Sequence, residues 1–148
     1  MNKYGVILAA GKGTRMRSLD VNKSKVAFDI LGKPLVGYVL DSLSYAEVDD
    51  KVVITGFGRE ETEKIVGGRA KCAEQKEING TAKAVEAASG YLSGKEGTTI
   101  VMCGDTPLIR GETVKQLFDY HIKNGNDMTV ATMILSNPTG YGRILRGG

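Results

Sequence analysis

The chain has 148 residues, 41% of them hydrophobic and 25% charged, with 20 Gly, 3 Pro and 2 Cys. That length fits one compact domain with a side-chain core, and the mixed charge and ample apolar content exclude a disordered chain. No apolar run reaches the ~20 residues of a membrane span, and Cys72 and Cys103 by themselves make neither a disulfide framework nor a four-cysteine zinc site.

The net charge of +3 is unevenly distributed. Residues 1–33 hold seven basic and two acidic side chains, a local balance of +5, and the rest of the chain comes to −2. A concentrated basic segment implies an anionic partner. It carries no series of aromatic rings on which bases could stack, so a polyphosphate is expected rather than a nucleic acid.

Residues 4–10 form a continuous apolar run, the pattern of a strand buried on both faces. Lys3, Val6-Ile7-Leu8 and Ala9-Ala10 imitate a secretory leader, but the apolar stretch is too short and a Gly-Lys-Gly loop follows it. A cytoplasmic protein is therefore expected, with no membrane partner. Pro34 opens a helical pattern in which Leu35, Val39 and Leu43 share a face with Val36 and Leu40. Residues 51–55 read as a second strand, and residues 59–66 as a charged helix stopped by Gly67-Gly68. A short strand surrounds Cys72, residues 81–88 suit a helix, and residues 98–103 a buried strand ending at Gly104-Asp105. Val114, Leu117, Phe118 and Ile122 form a helical stripe, and residues 128–135 a further strand.

This alternation specifies an α/β fold with a mostly parallel sheet and right-handed crossovers. Ligands in such sheets bind beyond the carboxyl ends of the strands. The unusual residues fall there: Gly11-Lys12-Gly13 after the first strand, Gln75 after the third and Gly104-Asp105 after the fourth.

The first loop is neither of the common phosphate loops. A Walker A loop fits in no register, and the third glycine of a dinucleotide fingerprint is Met16 here, as it is Glu61 after Gly56-Phe57-Gly58. What remains is a glycine-rich loop in which backbone N–H groups can approach phosphate oxygens while Lys12 and Arg15 add charge. A plain strand-to-helix turn with solvated charges is the rival reading. Asp105, just after a buried strand and a glycine, reads as a ligand position, with helix capping by Asp105 or Thr106 as its rival. His121 at the edge of a helix face, Cys103 in a strand and Tyr141 between two glycines read as structural, Cys103 as core packing and Tyr141 as a loop anchor.

Residues 8–16, Leu8-Ala9-Ala10-Gly11-Lys12-Gly13-Thr14-Arg15-Met16, resemble the opening signature of the sugar-1-phosphate nucleotidylyltransferases. The resemblance continues through Lys25-Val26, Leu31-Gly32-Lys33-Pro34, Gln75 with Gly80-Thr81, Gly104-Asp105-Thr106-Pro107-Leu108 and the segment 137–144. It is greatest to the uridylyltransferase domains of bacterial N-acetylglucosamine-1-phosphate uridylyltransferases. It implies a Rossmann-like three-layer sandwich of the nucleotide-diphospho-sugar transferase type, one domain over residues 1–148. Its nucleotide-binding part would span about 1–110 and the start of a sugar-binding part about 111–148, truncated before that half is complete.

By the same resemblance, Leu8, Ala10, Gly11, Lys12, Gly13, Gln75, Gly80 and Thr81 bind the nucleotide, with Gln75 on the uracil edge. Arg15 and Lys25 are the catalytic cations, Asp105 holds Mg²⁺, and Gly140 approaches the acceptor sugar. The substrates implied are UTP and a sugar 1-phosphate, N-acetylglucosamine 1-phosphate, giving UDP-sugar and pyrophosphate. Two alternatives stand beside this: a nucleotide-binding module without turnover, and a relative using another base or sugar. The chain departs from the family where Ser24 replaces a common proline before Lys25, where Ile78-Asn79 replaces a more usual Gln-Leu, and where Ala82-Lys83-Ala84 replaces Gly-His-Ala. Lys23 is a rival to Lys25 for the phosphate-directed role, and either could be an ordinary surface lysine. By itself Gln75 could likewise be an ordinary exposed glutamine.

Overall fold

The computed structural model describes residues 1–11, 23–77 and 80–145. Its centre is a four-stranded parallel sheet of β1 (Lys3–Leu8), β4 (Asp50–Thr55), β5 (Lys71–Glu74) and β6 (Thr98–Cys103), in the order β5-β4-β1-β6. The register sets Val6 beside Val52 and Val101, and Leu8 beside Ile54 and Cys103. A small antiparallel hairpin of β2 (Asp29–Ile30) and β3 (Lys33–Pro34), which the sequence pattern did not announce, leads into helix α1 (Leu35–Tyr45). Helices α2 (Arg59–Val66), α3 (Thr81–Glu86), α4 (Ser89–Leu92) and α5 (Gly111–Lys123) complete the elements. The expected helix over 81–88 is broken after Glu86, so α3 and α4 are separate short turns.

Alternation along the strands explains the layers. Ile7, Val53 and Met102 face one way and pack with Val36, Val39, Leu40 and Leu43 of α1, Val66 of α2, and Val114 and Phe118 of α5. Val6, Val52 and Ile54 face the other way, onto Ala84 and Ala88 beside α3 and α4. The result is the expected three-layer α/β sandwich, its continuous Val/Ile strands explained by burial on both faces. Among the described residues, no helix is long and apolar enough to cross a membrane.

Two expectations are corrected. Residues 128–135 form no strand: they run without ladder pairing, and Met128, Val130, Met133 and Ile134 are exposed. Their alternation is strand-like, but a strand exists only with a partner, and none lies beside this segment among the described residues. Strand β6 is also less buried than its composition implied, because it is a sheet edge. Val101 is 44% exposed and Cys103 is exposed, so Cys103 is not core packing; Cys72 is half-buried.

Candidate active site at the carboxyl edge of the sheet

Each strand's departing loop is tied to its neighbour by one further backbone hydrogen bond. Ala9 N–H donates to Ile54 O at 2.9 Å, Phe57 N–H to Ala10 O at 3.2 Å, Gln75 N–H to Thr55 O at 2.8 Å, and Gly104 N–H to Leu8 O at 2.9 Å. These extra rungs hold four loops on one edge, as the sequence order had implied. Ala10 is buried, Leu8 partly buried, and Gly11 exposed where the chain emerges. Lys12, Gly13 and Arg15 lie outside the described residues, so the proposed basic phosphate loop is seen here only at its first glycine.

Gly104 shows why a glycine stands before Asp105. A Cβ there would lie 3.0 Å from Val26 Cγ1 and 3.1 Å from Leu8 O, so the 3-10 turn Lys25–Ala27 packs directly against the end of β6. That packing brings Lys25 Nζ to 2.6 Å from Asp105 Oδ2, with the two side chains 37% and 31% exposed. Lys23 goes elsewhere: its Nζ is 3.4 Å from Glu61 Oε1 and 5.4 Å from the centre of the Phe28 ring. Of the two rival lysines, the fold brings Lys25 to the carboxylate.

Asp105 is not a helix cap. Helix α5 starts at Gly111 with Arg110 in the capping position and no side-chain cap, and Thr106 instead donates its hydroxyl to Cys103 O at 2.7 Å. Although Cys103 is exposed at the sheet edge, partial burial of its thiol, and then the nearby Asp105 carboxylate, raises the thiol pKa.

Gln75 is buried, not the ordinary exposed glutamine it could have been. Its Nε2 donates to Glu77 O at 2.9 Å and to Gly80 O at 3.3 Å. Two carbonyl partners fix the amide orientation, and among the described residues nothing donates to Oε1. Gly80, at φ +114°, precedes α3, and Thr81 is exposed at its start. Gln75 and Asp105 follow the two outer strands, β5 and β6, whose axes are three strand spacings or roughly 14 Å apart.

Gly140 lies in the segment that follows α5. It occupies an exposed turn at φ +85°, closed by Tyr141 N–H to Pro138 O and by Asn137 Oδ1, which accepts from Thr139. Arg143 reaches back to the carbonyls of Pro138 and Tyr141, so among the described residues the hydrogen bonds of 137–143 stay internal. Tyr141 holds this turn through its backbone, its side chain being exposed. The His121 ring lies 3.0 Å from Thr129 Oγ1 and joins α5 to the segment that follows, a structural role.

The residues near Asp105 can be tested against a divalent cation. No group of three or more His, Cys, Asp or Glu gathers among the described residues. A lone, partly exposed carboxylate suits Mg²⁺, which takes one or two carboxylates and completes its shell with waters and phosphate oxygens. It does not suit a closed zinc cage.

Comparison with known proteins places these features in a family. Residues 4–148 match the nucleotidyl transferase family model. The bifunctional protein GlmU of Listeria welshimeri serovar 6b is 44% identical over 97% of this chain and 31% of its own length. That of Shouchella clausii is 46% identical over 98% of this chain and again 31% of its own. The chain thus spans about a third of the length of these curated relatives. A UDP-glucose pyrophosphorylase complexed with UDP-glucose has a similar fold, with a TM-score of 0.68, 18% identity, and coverage of 84% of this chain and 55% of that one. A nucleotidyl transferase from Methanothermobacter thermautotroptrophicus also shares the fold, at a TM-score of 0.66 and 18% identity over 80% of this chain and 57% of that one.

Proposed function

Because this chain belongs to the nucleotidyl transferase family, we propose that it supplies the nucleotide site for transfer of a uridylyl group from UTP to N-acetylglucosamine 1-phosphate. In this reaction a sugar phosphate oxygen attacks the α-phosphorus in line, a new P–O bond forms, and the bond to pyrophosphate breaks. Positioning and charge neutralisation carry most of such a step. Gly11 offers its backbone to the triphosphate, Lys12 and Arg15 bring positive charge from the same loop, and Lys25 directs its ammonium to the phosphates. Asp105 would hold Mg²⁺, which supplies charge neutralisation between the reacting phosphates.

The observation that carries this reading is the pairing of Lys25 and Asp105 at 2.6 Å on the edge that also holds Gly11 and Gln75. A cation and a carboxylate for the phosphates stand at one end, and a fixed, buried amide at the other. The strand separation of roughly 14 Å suits an extended ligand with a base at one end and phosphates at the other. With its two N–H groups turned to backbone carbonyls, Gln75 can offer Oε1 as acceptor, which matches the N3–H of uracil. The GlmU likeness is what points to N-acetylglucosamine as the sugar.

Titration of UTP with and without Mg²⁺, on the native chain and on Asp105→Asn, tests the reading. The substitution keeps the shape and removes the charge, so the Mg²⁺ enhancement of UTP binding should collapse while the fold survives. An unchanged Mg²⁺ effect would overturn the cation assignment. A second reading, nucleotide binding without turnover by this chain alone, draws on the Gly140 turn, whose hydrogen bonds among the described residues stay within 137–143. Pyrophosphate release in the presence of sugar 1-phosphates separates the two.

A further inference from the structure

Lys25 is held in place by its backbone. Val26 and Ala27, the next two residues of the turn, are buried, Ala27 N–H donates to Ser24 O at 3.0 Å, and Val26 abuts the position of Gly104. From this fixed base the ammonium covers one oxygen of Asp105, and no other cation pairs with that carboxylate among the described residues. An ammonium 2.6 Å from Oδ2 and a divalent cation on the same carboxylate oppose each other by like charge.

The geometry points to Lys25 as the resident counter-ion of Asp105, exchanged for a divalent cation when that cation arrives with a polyphosphate. This rests on the function proposed above, in which Asp105 takes the cation. A bare cation on Asp105 weakens the ion pair and sets the ammonium beside a second positive charge. A cation carried on a polyphosphate weakens the same pair but gives Lys25 phosphate oxygens in return. The site therefore loads cation and polyphosphate together, and the two ligands favour each other's binding by the same factor. Asp105 is spared as an uncompensated carboxylate, and Lys25 is delivered to the phosphates at the moment they bind.

The test uses the full 148-residue chain, with Mn²⁺ followed by electron paramagnetic resonance in the absence of nucleotide, then with inorganic tripolyphosphate. Lys25→Met should tighten Mn²⁺ alone by about threefold to tenfold, the range expected for release of a partly exposed ion pair. It should also shrink the factor by which tripolyphosphate improves Mn²⁺ binding. Lys25→Arg, which keeps a cation on Asp105, should stay within about twofold of the native chain. Lys23→Met removes the same charge from a lysine paired with Glu61 and should also stay within about twofold. Circular dichroism of each variant reports folding. If Lys25→Met leaves Mn²⁺ affinity unchanged or weaker, or if Lys23→Met tightens it equally, the exchange is overturned while cation binding at Asp105 stands. If Asp105→Asn binds Mn²⁺ as the native chain does, both the exchange and the cation assignment beneath it fall.

Discussion

Gly58 lies against Ser24 so closely that a Cβ on Gly58 would stand 2.8 Å from the Ser24 amide nitrogen and 2.9 Å from its Cβ, with Gly58 itself at φ +64°. Ser24 is the residue before Lys25, so the loop after β4 forms the floor under that lysine. Alanine at position 58 meets both a left-handed backbone and a contact with main chain. Gly58→Ala should lower stability by roughly 2 kcal/mol, or about 5–8 °C in Tm. A melting temperature within a degree of the native chain would show that the Ser24 turn yields freely.

Ser24 is fully buried and its Oγ has no hydrogen-bond partner among the described residues. An unpaired buried hydroxyl costs about 1–3 kcal/mol, most of which its removal returns. Ser24→Ala should therefore stabilise the chain by about 1 kcal/mol in urea unfolding. The backbone, at φ −62° and ψ 138°, also matches proline, so Ser24→Pro should fold and gain from a stiffer unfolded chain. Loss of stability in the alanine variant would mean that the hydroxyl has a partner.

Gln75 serves the loop and, in the proposed function, the base. Gln75→Ala should weaken UTP by roughly tenfold to a hundredfold while changing tripolyphosphate by about twofold or less. Calorimetric titration of both ligands decides it. Equal losses would mean that the amide only staples Glu77 and Gly80.

At the opposite edge of the sheet, the Asp50 carboxylate is held below its usual pKa, first by its hydrogen bond from Lys95 and then by that from Tyr91. A carboxylate with a lowered folded pKa stabilises the fold above its unfolded pKa of about 3.9, and that contribution fades as pH falls through the folded value. The side chain is 44% exposed, so solvent screening limits the effect to about 1 kcal/mol or less. Asp50→Asn should thus be less stable at pH 7 and converge with the native chain as pH falls through the lowered folded pKa of Asp50. Stability curves that stay parallel from neutral to acid pH would remove the ion pair from the account.

Much of the fold is local, and was legible for that reason. Buried strands write themselves as Val-Ile runs, α1 announces its inner face at Leu35, Val39 and Leu43, and Gly67 marks the end of α2 with a left-handed cap at φ +53°. The same runs cannot say how many neighbours a strand has. Thr98–Cys103 therefore looked central and lies on an edge, and residues 128–135 alternate like a strand without finding a ladder. In the site, Gln75 and Asp105 were placed on the right edge by strand order alone. That Lys25 rather than Lys23 meets Asp105 was beyond local reading, since it depends on how a turn 80 residues away packs on Gly104. The burial of Ser24 escaped for the same reason.

Among the described residues β6 has a strand neighbour on one side only, which bears on how this 148-residue chain behaves at high concentration. Its six residues, Thr-Thr-Ile-Val-Met-Cys, contain no charge and no proline, and none of the devices by which edge strands repel one another is present in them. An edge strand of this composition is a template for any extended segment like it, including the same segment in a neighbouring molecule. A lysine introduced at Val101, whose side chain already meets solvent, would act as a gatekeeper and keep concentrated solutions of the chain clear.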